Sequence, residues 1–413
     1  MRSFLIIRLV GFVILLLVQL YFYARISQYA RKRFVQNPRI CHLVKIPFVV
    51  FNLPLIYIAI ARPQVNSVCD AFLYFGVYPF YVWHGALFFI FLVLFAAELV
   101  RLPVRVGVWI SNAIPPLKAK LIRWKTRPSY PQFDRSRRAL LKTGVYGISA
   151  YAFVGSAYGL LERNQLEVNE KRIPIKNLPD ELRGFSIALI CDVHSGVFMS
   201  KQDMVEYAQV VNSLNADLIV IPGDFLTVRI PEIYPFVEAF ADLKAPYGVY
   251  GCLGNHEFFA DRSGDLLTEE LEQGGIRILR NESTHINVNG ASFNLIGVDD
   301  IGRSMNAQEV IDQSLEHVRS DAPKILLCHK PYFFDTIASR AIDLTLAGHT
   351  HGGQIVLARF GRIHVSPASI ATRYIYGLYQ QGNSAMYVTR GVGVIGVPFR
   401  INCPPEIAKI VLE

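Results

Sequence analysis

The stretch LTLAGHTHGGQ, residues 344–354, runs from a short apolar segment straight into a loop of histidine and glycine. A short apolar run followed at once by glycine is typical of a buried strand. In α/β sheets the loops converge at the carboxyl ends of the strands, and polar side chains leave the core there. The stretch therefore predicts a strand that ends by presenting His349 and His351 to one site.

Other apolar runs end in the same way. They are ALICDVHSG (188–196), IVIPGDF (219–225), GCLGNHEF (251–258) and ILLCHKP (325–331). Together, the strand ends present these candidate site residues: Asp192, His194, Asp224, Asn255, His256, His329, His349 and His351.

The alternation of such runs with amphipathic windows indicates an α/β domain over residues 163–413. We predict strands at residues 185–191, 218–221, 248–253, 293–297, 324–328, 344–347 and 385–389. We predict helices at residues 201–214, 231–243, 266–273, 307–319 and 332–339.

The candidate residues mix carboxylate, imidazole and amide oxygen. This mixture suits borderline divalent ions such as Mn, Fe, Zn, Co or Ni, whereas an all-oxygen set would suit Mg or Ca. Side chains two residues apart point to opposite sides of an extended chain. Asp192 and His194 can therefore bind one ion only if a turn of the backbone redirects one of the two side chains. The glycines beside His349 and His351 permit such a turn in the second segment.

The ordered series D-x-H, G-D, G-N-H-E, H and G-H-T-H resembles the calcineurin-like metallophosphoesterases, from about residue 163 to the C-terminus. With YVTRGVG (387–393) and NCPPEI (402–407), GHTHGGQ is similar to the bacterial membrane-associated phosphodiesterase branch of that superfamily. The resemblance implies a β-sandwich flanked by helices. It also implies hydrolysis of a phosphodiester or phosphomonoester by a hydroxide that two divalent metal ions activate.

The same resemblance implies a role for each candidate residue. The first metal would bind Asp192, His194 and His351; the second would bind Asn255, His329 and His349; and Asp224 would bridge them. His256 would act as general acid, and Glu257 would orient a neighbour. Many family members have G-D-x-x-D where this chain has Thr227, so the local support of the loop differs.

Residues 1–162 differ in composition from the rest of the chain. The whole chain is 52% apolar with a net charge of +9. Residues 1–162 contain 20 Lys/Arg and 4 Asp/Glu, whereas residues 163–413 contain 22 and 29. Since the basic excess lies in the apolar part, it indicates membrane topology and not nucleic-acid binding.

Four membrane spans are predicted, at about residues 9–24, 46–61, 71–97 and 143–161, with an interfacial segment at 104–117. Lys and Arg are concentrated in the loops after the first and third spans. This bias predicts an integral membrane protein with an extracytoplasmic catalytic domain. The resemblance to the bacterial branch implies that the membrane is the bacterial inner membrane. His84, inside the third span, is either a functional ionisable group or a packing residue.

The sequence SRRALLK, residues 136–142, matches a twin-arginine export pattern ahead of the last predicted span. The alternative is an ordinary positive anchor of the kind that any such span carries.

Other classes of function stay open. The chain could be a membrane complex subunit with a structural or vestigial metal site, or a phosphoprotein phosphatase. The expected partners are membrane lipids and a phosphoester substrate. Anchoring suggests a lipid-linked or envelope-linked phosphoester, but it also suits a soluble nucleotide met at the membrane surface. Nucleic acid is not expected, because the catalytic domain is acidic. The arginines considered as phosphate clamps are Arg303, Arg373, Arg390 and Arg400, and the cysteines are interpreted as buried thiols.

Overall fold

The computed structural model describes residues 2–54, 57, 70–302, 305–361 and 363–413. The chain divides into two compact units, Met1–Tyr158 and Gly159–Glu413. Each unit is described by itself.

The first unit is helical. Its main helices are α1 (Arg2–Arg33), α2 (Pro38–Leu43), α3 (Lys45–Val50), α4 (Tyr78–Ala113), α5 (Pro115–Lys125) and α6 (Tyr130–Glu162), whose end belongs to the second unit. A helical turn, Asp70–Phe72, and a π-helix, Leu73–Val77, lead into α4.

Three stretches of the described residues are long and apolar enough to cross a membrane: Val10–Arg33, Leu73–Ala113 and Tyr130–Glu162. The prediction of apolar spans is thus confirmed for three stretches. Residues 55, 56 and 58–61 of the predicted span at 46–61 lie outside the described residues. The segment 104–117 is not a separate interfacial element, because α4 continues through Pro103 to Ala113. The helix ends there because Ile114 precedes a proline and is extended.

His84 lies in a small polar cluster among the helices of the first unit. Its Nε2 atom lies 2.9 Å from Nε2 of Gln19, and its Nδ1 atom lies 2.7 Å from the carbonyl oxygen of Phe80. Asn52 donates to Gln19 Oε1 at 2.8 Å and to the Phe48 carbonyl at 2.7 Å. Because His84 has partners on both ring nitrogens, the structure favours the packing interpretation.

The second unit contains two six-stranded mixed sheets, with strand orders β1-β14-β2-β3-β4-β5 and β12-β13-β9-β8-β7-β6. The strands of the first sheet are β1 (Glu167–Ile173), β2 (Ser186–Leu189), β3 (Leu218–Pro222), β4 (Val249–Cys252), β5 (Arg277–Ile278) and β14 (Glu406–Leu412). Those of the second are β6 (Glu282–Val288), β7 (Ala291–Val298), β8 (Lys324–Cys328), β9 (Leu344–Ala347), β12 (Gly377–Gln381) and β13 (Ser384–Val388). A separate two-stranded ribbon pairs β10 (Ala358–Phe360) with β11 (Ile363–Val365).

Central strands that are buried on both faces build a helix–sheet–sheet–helix sandwich. Between the sheets, Leu189 and Val220 of the first pack with Leu295 and Leu327 of the second, all fully buried. The outer face of the first sheet packs against α7 (Lys201–Ser213), α8 (Ile233–Phe240), α9 (Asn255–Ala260) and α10 (Asp265–Gln273). The outer face of the second packs against α11 (Ala307–Ser314) and α12 (Phe334–Ala338). The predicted α/β sandwich flanked by helices is confirmed.

The strands that precede the candidate residues share a direction within each sheet. β2, β3 and β4 are parallel in the first sheet, and β8 and β9 are parallel in the second. Their carboxyl ends therefore lie at one edge of each sheet, as the sequence predicted. Strands β8 and β9 have the predicted bounds, whereas β1, β6, β12 and β14 were missed.

Candidate metal centre

Several candidate residues have left-handed backbone conformations. The φ angle is 53° at Asp192, 50° at His194, 55° at Asp224, 70° at His349 and 50° at His351. For residues other than glycine, each such conformation costs on the order of 1–3 kcal/mol and persists only where the surroundings impose it. In the D-x-H segment and in the H-T-H segment, both candidate ligands have this left-handed conformation. The sequence required it of at least one residue in each segment.

One group of side chains forms around Asp192. The Nε2 atoms of His194 and His351 lie 3.0 Å apart, and His351 Nε2 lies 3.6 Å from an Asp192 oxygen. All three side chains are almost completely buried. These are the residues that the resemblance assigns to the first metal.

A second group forms around His329. Its Nε2 atom lies 3.1 Å from His349 Nδ1 and 3.1 Å from Asp224 Oδ2. Asp224 Oδ2 also lies 3.5 Å from His194 Nε2. A single carboxylate oxygen is thus close to both groups, where a bridging ligand would have to be.

The donor set fits divalent metal ions. Ligand atoms of Asp192, His194 and His351 lie within 4.8 Å of one another, as do those of Asp224, His329 and His349. Asn255 Oδ1 is buried and has no hydrogen-bond partner among the described residues, so it is available as the amide-oxygen ligand. Imidazole, carboxylate and amide oxygen together suit Mn, Fe, Co, Ni or Zn.

Burial keeps most of the imidazoles neutral. It lowers the pKa of His194 to about 3, with His256 adding to the effect, and it holds the pKa of His349 and His351 well below the usual value. A neutral imidazole is the form that binds a metal.

The pKa values of the two aspartates are shifted in opposite directions. Burial raises the pKa of Asp192 to about 6. Burial would also raise the pKa of Asp224, but His329 and His256 hold it well below the usual value. Burial opposes protonation of His329, yet Asp224 raises the pKa of His329 to about 10. As long as no metal ion is bound, Asp224 and His329 therefore stabilise each other as an ion pair; a metal ion that binds His329 must displace its proton.

Glu257 holds the loop that carries Asp224. Its carboxylate accepts N–H bonds from Asp224 at 3.0 Å, Phe225 at 2.8 Å, Leu226 at 3.4 Å and Gly254 at 2.8 Å. The prediction that Glu257 orients a neighbour agrees with these contacts.

His256 lies beside both groups. Its backbone N–H donates to Asp224 Oδ1 at 3.0 Å, and its ring centre lies 4.6 Å from that of His194. The ring Nδ1 atom contacts the carbonyl oxygen of Thr227. With Nδ1 engaged by a carbonyl, Nε2 is the ring atom left to meet a substrate.

Thr227 supports its loop by different contacts from those of an aspartate. Its hydroxyl donates to the carbonyl oxygens of His194 and Ser195, at 3.0 and 3.1 Å. The carboxylate of Glu232 accepts the N–H groups of residues 227–229. Glu232 was not predicted, because a single glutamate in a turn gives no sequence signal.

Close backbone approach explains two glycines of the motifs. A Cβ atom at Gly348 would lie 2.3 Å from the Asp192 carboxylate and 2.3 Å from Cys191 Sγ. A Cβ atom at Gly391 would lie 2.6 Å from the Cβ of Asp192, and its φ is 62°. Any larger residue at position 348 or 391 would displace Asp192.

Cysteines and arginines take structural positions. Cys191 lies near Asp192 and His329, but burial holds the pKa of its thiol well above the usual value, so it stays protonated. Arg400 is fully buried and donates to backbone carbonyl groups, including that of Gly393. Arg390 pairs with Glu167 at 2.7 Å. Arg373 pairs with Asp335 at 2.9 Å, and Arg303 lies outside the described residues.

Comparison with known proteins agrees with this geometry. Residues 185–353 match the sequence model of a family described as calcineurin-like phosphoesterase. An "Uncharacterized metallophosphoesterase" of Helicobacter pylori (strain ATCC 700392 / 26695) is 31% identical over 282 residues, which cover 67% of this chain and 71% of that protein. The chain therefore belongs to the calcineurin-like phosphoesterase family, as the ordered motifs predicted.

Two further relatives bear on the membrane and on the chemistry. A "Transmembrane protein with metallophosphoesterase domain" of Danio rerio is 29% identical over 303 residues, or 68% of this chain and 66% of that protein. The "Phosphodiesterase YaeI" of Escherichia coli (strain K12) is 27% identical over 238 residues, or 56% of this chain and 84% of that protein.

Proposed function

We propose that this chain is an integral membrane phosphoesterase that hydrolyses a phosphodiester or phosphomonoester at the membrane surface. The observation that carries the proposal is the position of Asp224 Oδ2, which lies 3.5 Å from His194 Nε2 and 3.1 Å from His329 Nε2. Residues 1–162 would form the membrane anchor and residues 163–413 the catalytic domain.

In this proposal, two divalent ions occupy the buried groups. The first would be held by Asp192, His194 and His351, the second would be held by Asn255, His329 and His349, and Asp224 would contribute to both. When bound, the ions would activate a water molecule for attack on phosphorus and would neutralise charge on the phosphoryl oxygens.

The protein's own groups prepare the site for this chemistry. Glu257 fixes the backbone of the Asp224 loop, so the bridging carboxylate need not reorganise when substrate binds. His256, held by the Thr227 carbonyl, would donate a proton from Nε2 to the departing oxygen. Burial of the cluster excludes bulk water and strengthens each electrostatic contact.

We further propose that the catalytic domain is extracytoplasmic in a bacterial inner membrane. The support is the concentration of Lys and Arg in the loops after the first and third predicted spans. The substrate would then be a lipid-linked or envelope-linked phosphoester, with membrane lipids as neighbours.

The proposal is tested by turnover of bis(p-nitrophenyl) phosphate and p-nitrophenyl phosphate by the purified full chain loaded with Mn. With a glycerophosphodiester, whose departing alkoxide needs a proton, we expect His256→Ala to lower kcat by about 10²–10⁴-fold, the usual contribution of a general acid. A p-nitrophenyl ester leaves as a stable phenolate and should lose less. His285→Ala is the matched control, because His285 is an exposed histidine on β6.

Two results would overturn the proposal. If His256→Ala leaves the turnover of a glycerophosphodiester unchanged, His256 is not the general acid. Bound metal without turnover of any phosphoester in a panel of glycerophosphodiesters, diacyl phospholipids, cyclic nucleotides and nucleotide sugars would favour a structural or vestigial site. Preference for phosphopeptides would instead indicate a phosphoprotein phosphatase.

A further inference from the structure

The ribbon formed by β10 and β11 follows directly after the GHTHGGQ loop. Phe360 pairs with Ile363 across the ribbon, Arg359 pairs with His364, and Ala358 pairs with Val365. In an antiparallel pair, residues opposite each other point to the same face. Phe360, Ile363 and Val365 therefore share one face, and Arg359 and His364 share the other.

On the face with Arg359 and His364, His364 packs against the domain, whereas Arg359 is exposed. His364 is only 9% exposed, and Arg359 donates to the carbonyl oxygen of Asn402. On the other face, Phe360 is 68% exposed and Ile363 is 67% exposed. This arrangement inverts the usual pattern, in which the apolar face of a half-exposed pair packs inward.

The apolar surface continues into the next turn, Pro367–Ile370. Ile370 is 92% exposed, and Leu357, just before the ribbon, is 53% exposed. We call this exposed surface of Leu357, Phe360, Ile363, Val365 and Ile370 the ribbon surface. Exposed apolar clusters of this kind mark contact sites for proteins or membranes.

The ribbon segment is fixed to the loop that carries His349 and His351. A Cβ atom at Gly353 would lie 2.6 Å from Ser366 Oγ, so the turn after the ribbon rests on the loop backbone. Thr350, between the two histidines, donates to the Ile375 carbonyl at 2.6 Å. Whatever contacts the ribbon surface is therefore held close to the candidate metal centre.

The charge of the surrounding sequence favours an anionic bilayer as the partner of the ribbon surface. No aspartate or glutamate lies between Asp343 and Glu406, although residues 163–413 carry 29 Asp/Glu. Of the five arginines in this stretch, Arg359 and Arg362 belong to the ribbon segment, whereas the other three are buried or paired, as described above. Apolar side chains flanked by arginine favour the interface of an anionic bilayer. The same chain carries stretches able to cross a membrane, so a bilayer is always within reach.

We propose that the ribbon surface inserts into the anionic surface of the bilayer to which the chain is anchored. The side chains of Phe360, Ile363 and Ile370 enter the boundary between headgroups and acyl chains. This docking goes beyond the proposed function and does not depend on turnover.

A consequence for the substrate does rest on the proposed function. With the ribbon seated in the bilayer, the neighbouring loop of His349 and His351 meets phosphoesters that are carried by lipids. The substrate class would then be a lipid-borne phosphoester and not a soluble one.

The docking is tested with the full chain reconstituted into vesicles of phosphatidylcholine and phosphatidylglycerol with brominated acyl chains. Cys41 and Cys69 are replaced by Ser, and a fluorophore is attached to Ile363→Cys; the described cysteines are buried. The control carries the fluorophore at Leu266→Cys. Leu266 is 41% exposed and lies on α10, beside β5 at the opposite edge of the first sheet from β1.

We expect the brominated lipid to quench the fluorophore at position 363 and not the one at 266. The quenching should fall when phosphatidylglycerol is omitted, and also when Phe360→Ser is added. Equal quenching at the two positions would overturn the proposal. Absence of quenching together with a change of oligomeric state in Phe360→Ser would also overturn it, in favour of a contact between two copies.

The substrate consequence is tested by the ratio of turnover on a vesicle-borne phosphoester to turnover on soluble bis(p-nitrophenyl) phosphate. We expect Phe360→Ser/Ile363→Ser to lower this ratio and Leu266→Ser to leave it unchanged. An unchanged ratio in the ribbon variant would refute the lipid-borne substrate. Absence of all turnover in the wild-type chain would refute the proposed function, while the quenching result would still decide the docking.

Discussion

Glu257 shows how a residue outside the metal-ligand set can decide the geometry of the site. Each of its carboxylate oxygens accepts two backbone N–H groups of the loops around Asp224 and Gly254. An amide in its place must turn its NH2 group toward one of these pairs. The carboxylate of Asp224, the proposed bridging ligand, then loses its fixed position.

We therefore expect Glu257→Gln to lower the free energy of unfolding by on the order of 1–3 kcal/mol, the cost of buried groups left without a partner. It should also weaken metal binding. Thermal unfolding in detergent and metal titration measure the two effects. Glu238→Gln is the control, because that side chain is 61% exposed and pairs only at the surface with Lys201. Equal melting temperatures for the two variants would show that Glu257 does not support the loop.

The metal-ligand candidates could be predicted from sequence because their types recur in order at strand ends. Asp192, His349 and the others needed no knowledge of the fold beyond the position of each strand. Supporting residues could not be found in this way. Glu232 and Arg400 act on backbone N–H and carbonyl groups of distant residues, and such contacts leave no local pattern.

Among the elements, the turn after β9 passes very close to the candidate metal centre. Gly348 lets the chain pass the Asp192 carboxylate, from which a Cβ atom would be 2.3 Å away. We expect Gly348→Ala to displace that carboxylate and to lower turnover by about 10²-fold, as a misplacement near 1 Å can do. Turnover of an activated phosphoester measures the effect.

The control is Gly302→Ala, since among the described residues a Cβ atom there would meet only Met305, at 3.7 Å. Full turnover of Gly348→Ala would mean that Asp192 needs no close contact with this turn.

The polar cluster of Gln19, Asn52 and His84 is an element-level feature of the first unit. We expect Gln19→Leu to destabilise the helix packing by about 0.6–1.7 kcal/mol, the range for hydrogen bonds between membrane helices. Turnover per folded chain should stay the same if His84 only packs. Thermal unfolding measures the first effect, and loss of turnover without loss of stability would instead assign His84 a functional role.

Central strands were predictable and edge strands were not. β8 and β9 are continuous apolar runs that are almost fully buried, so hydropathy alone defines them. β1 and β12 lie at sheet edges and bury little, and their sequences EVNEKRI and GLYQQ carry no apolar alternation. β14 is buried, and its run IVL at 410–412 is a signal that could have identified it.

For the whole molecule, basic and acidic residues are concentrated in different parts of the chain, and this separation supports the proposed membrane topology. The basic excess in residues 1–162 and the acidic excess in residues 163–413 suit an anchor with cytoplasmic loops and a domain outside. Within α6, Asp134 forms ion pairs with both Arg137 and Arg138, the two residues of the twin-arginine pattern.

A reporter of periplasmic location fused after Glu413 tests the export route. If the twin-arginine pattern is used, Arg137→Lys/Arg138→Lys should abolish the outside signal, because the charge is kept and only the arginine identity is lost. Arg123→Lys is the control for a general effect on the basic loop. A persistent outside signal in the double variant would assign the segment to ordinary insertion.

The central claim is that the buried groups around Asp224 hold two ions. The most direct measurement is the metal content of the purified, Mn-loaded full chain by mass spectrometry after removal of free metal. We predict about two Mn per chain in the wild type, and about one in His351→Ala and in His349→Ala, since each removes a ligand of a different ion. A wild-type chain that binds one ion or none, or variants that keep the wild-type content, would contradict the account.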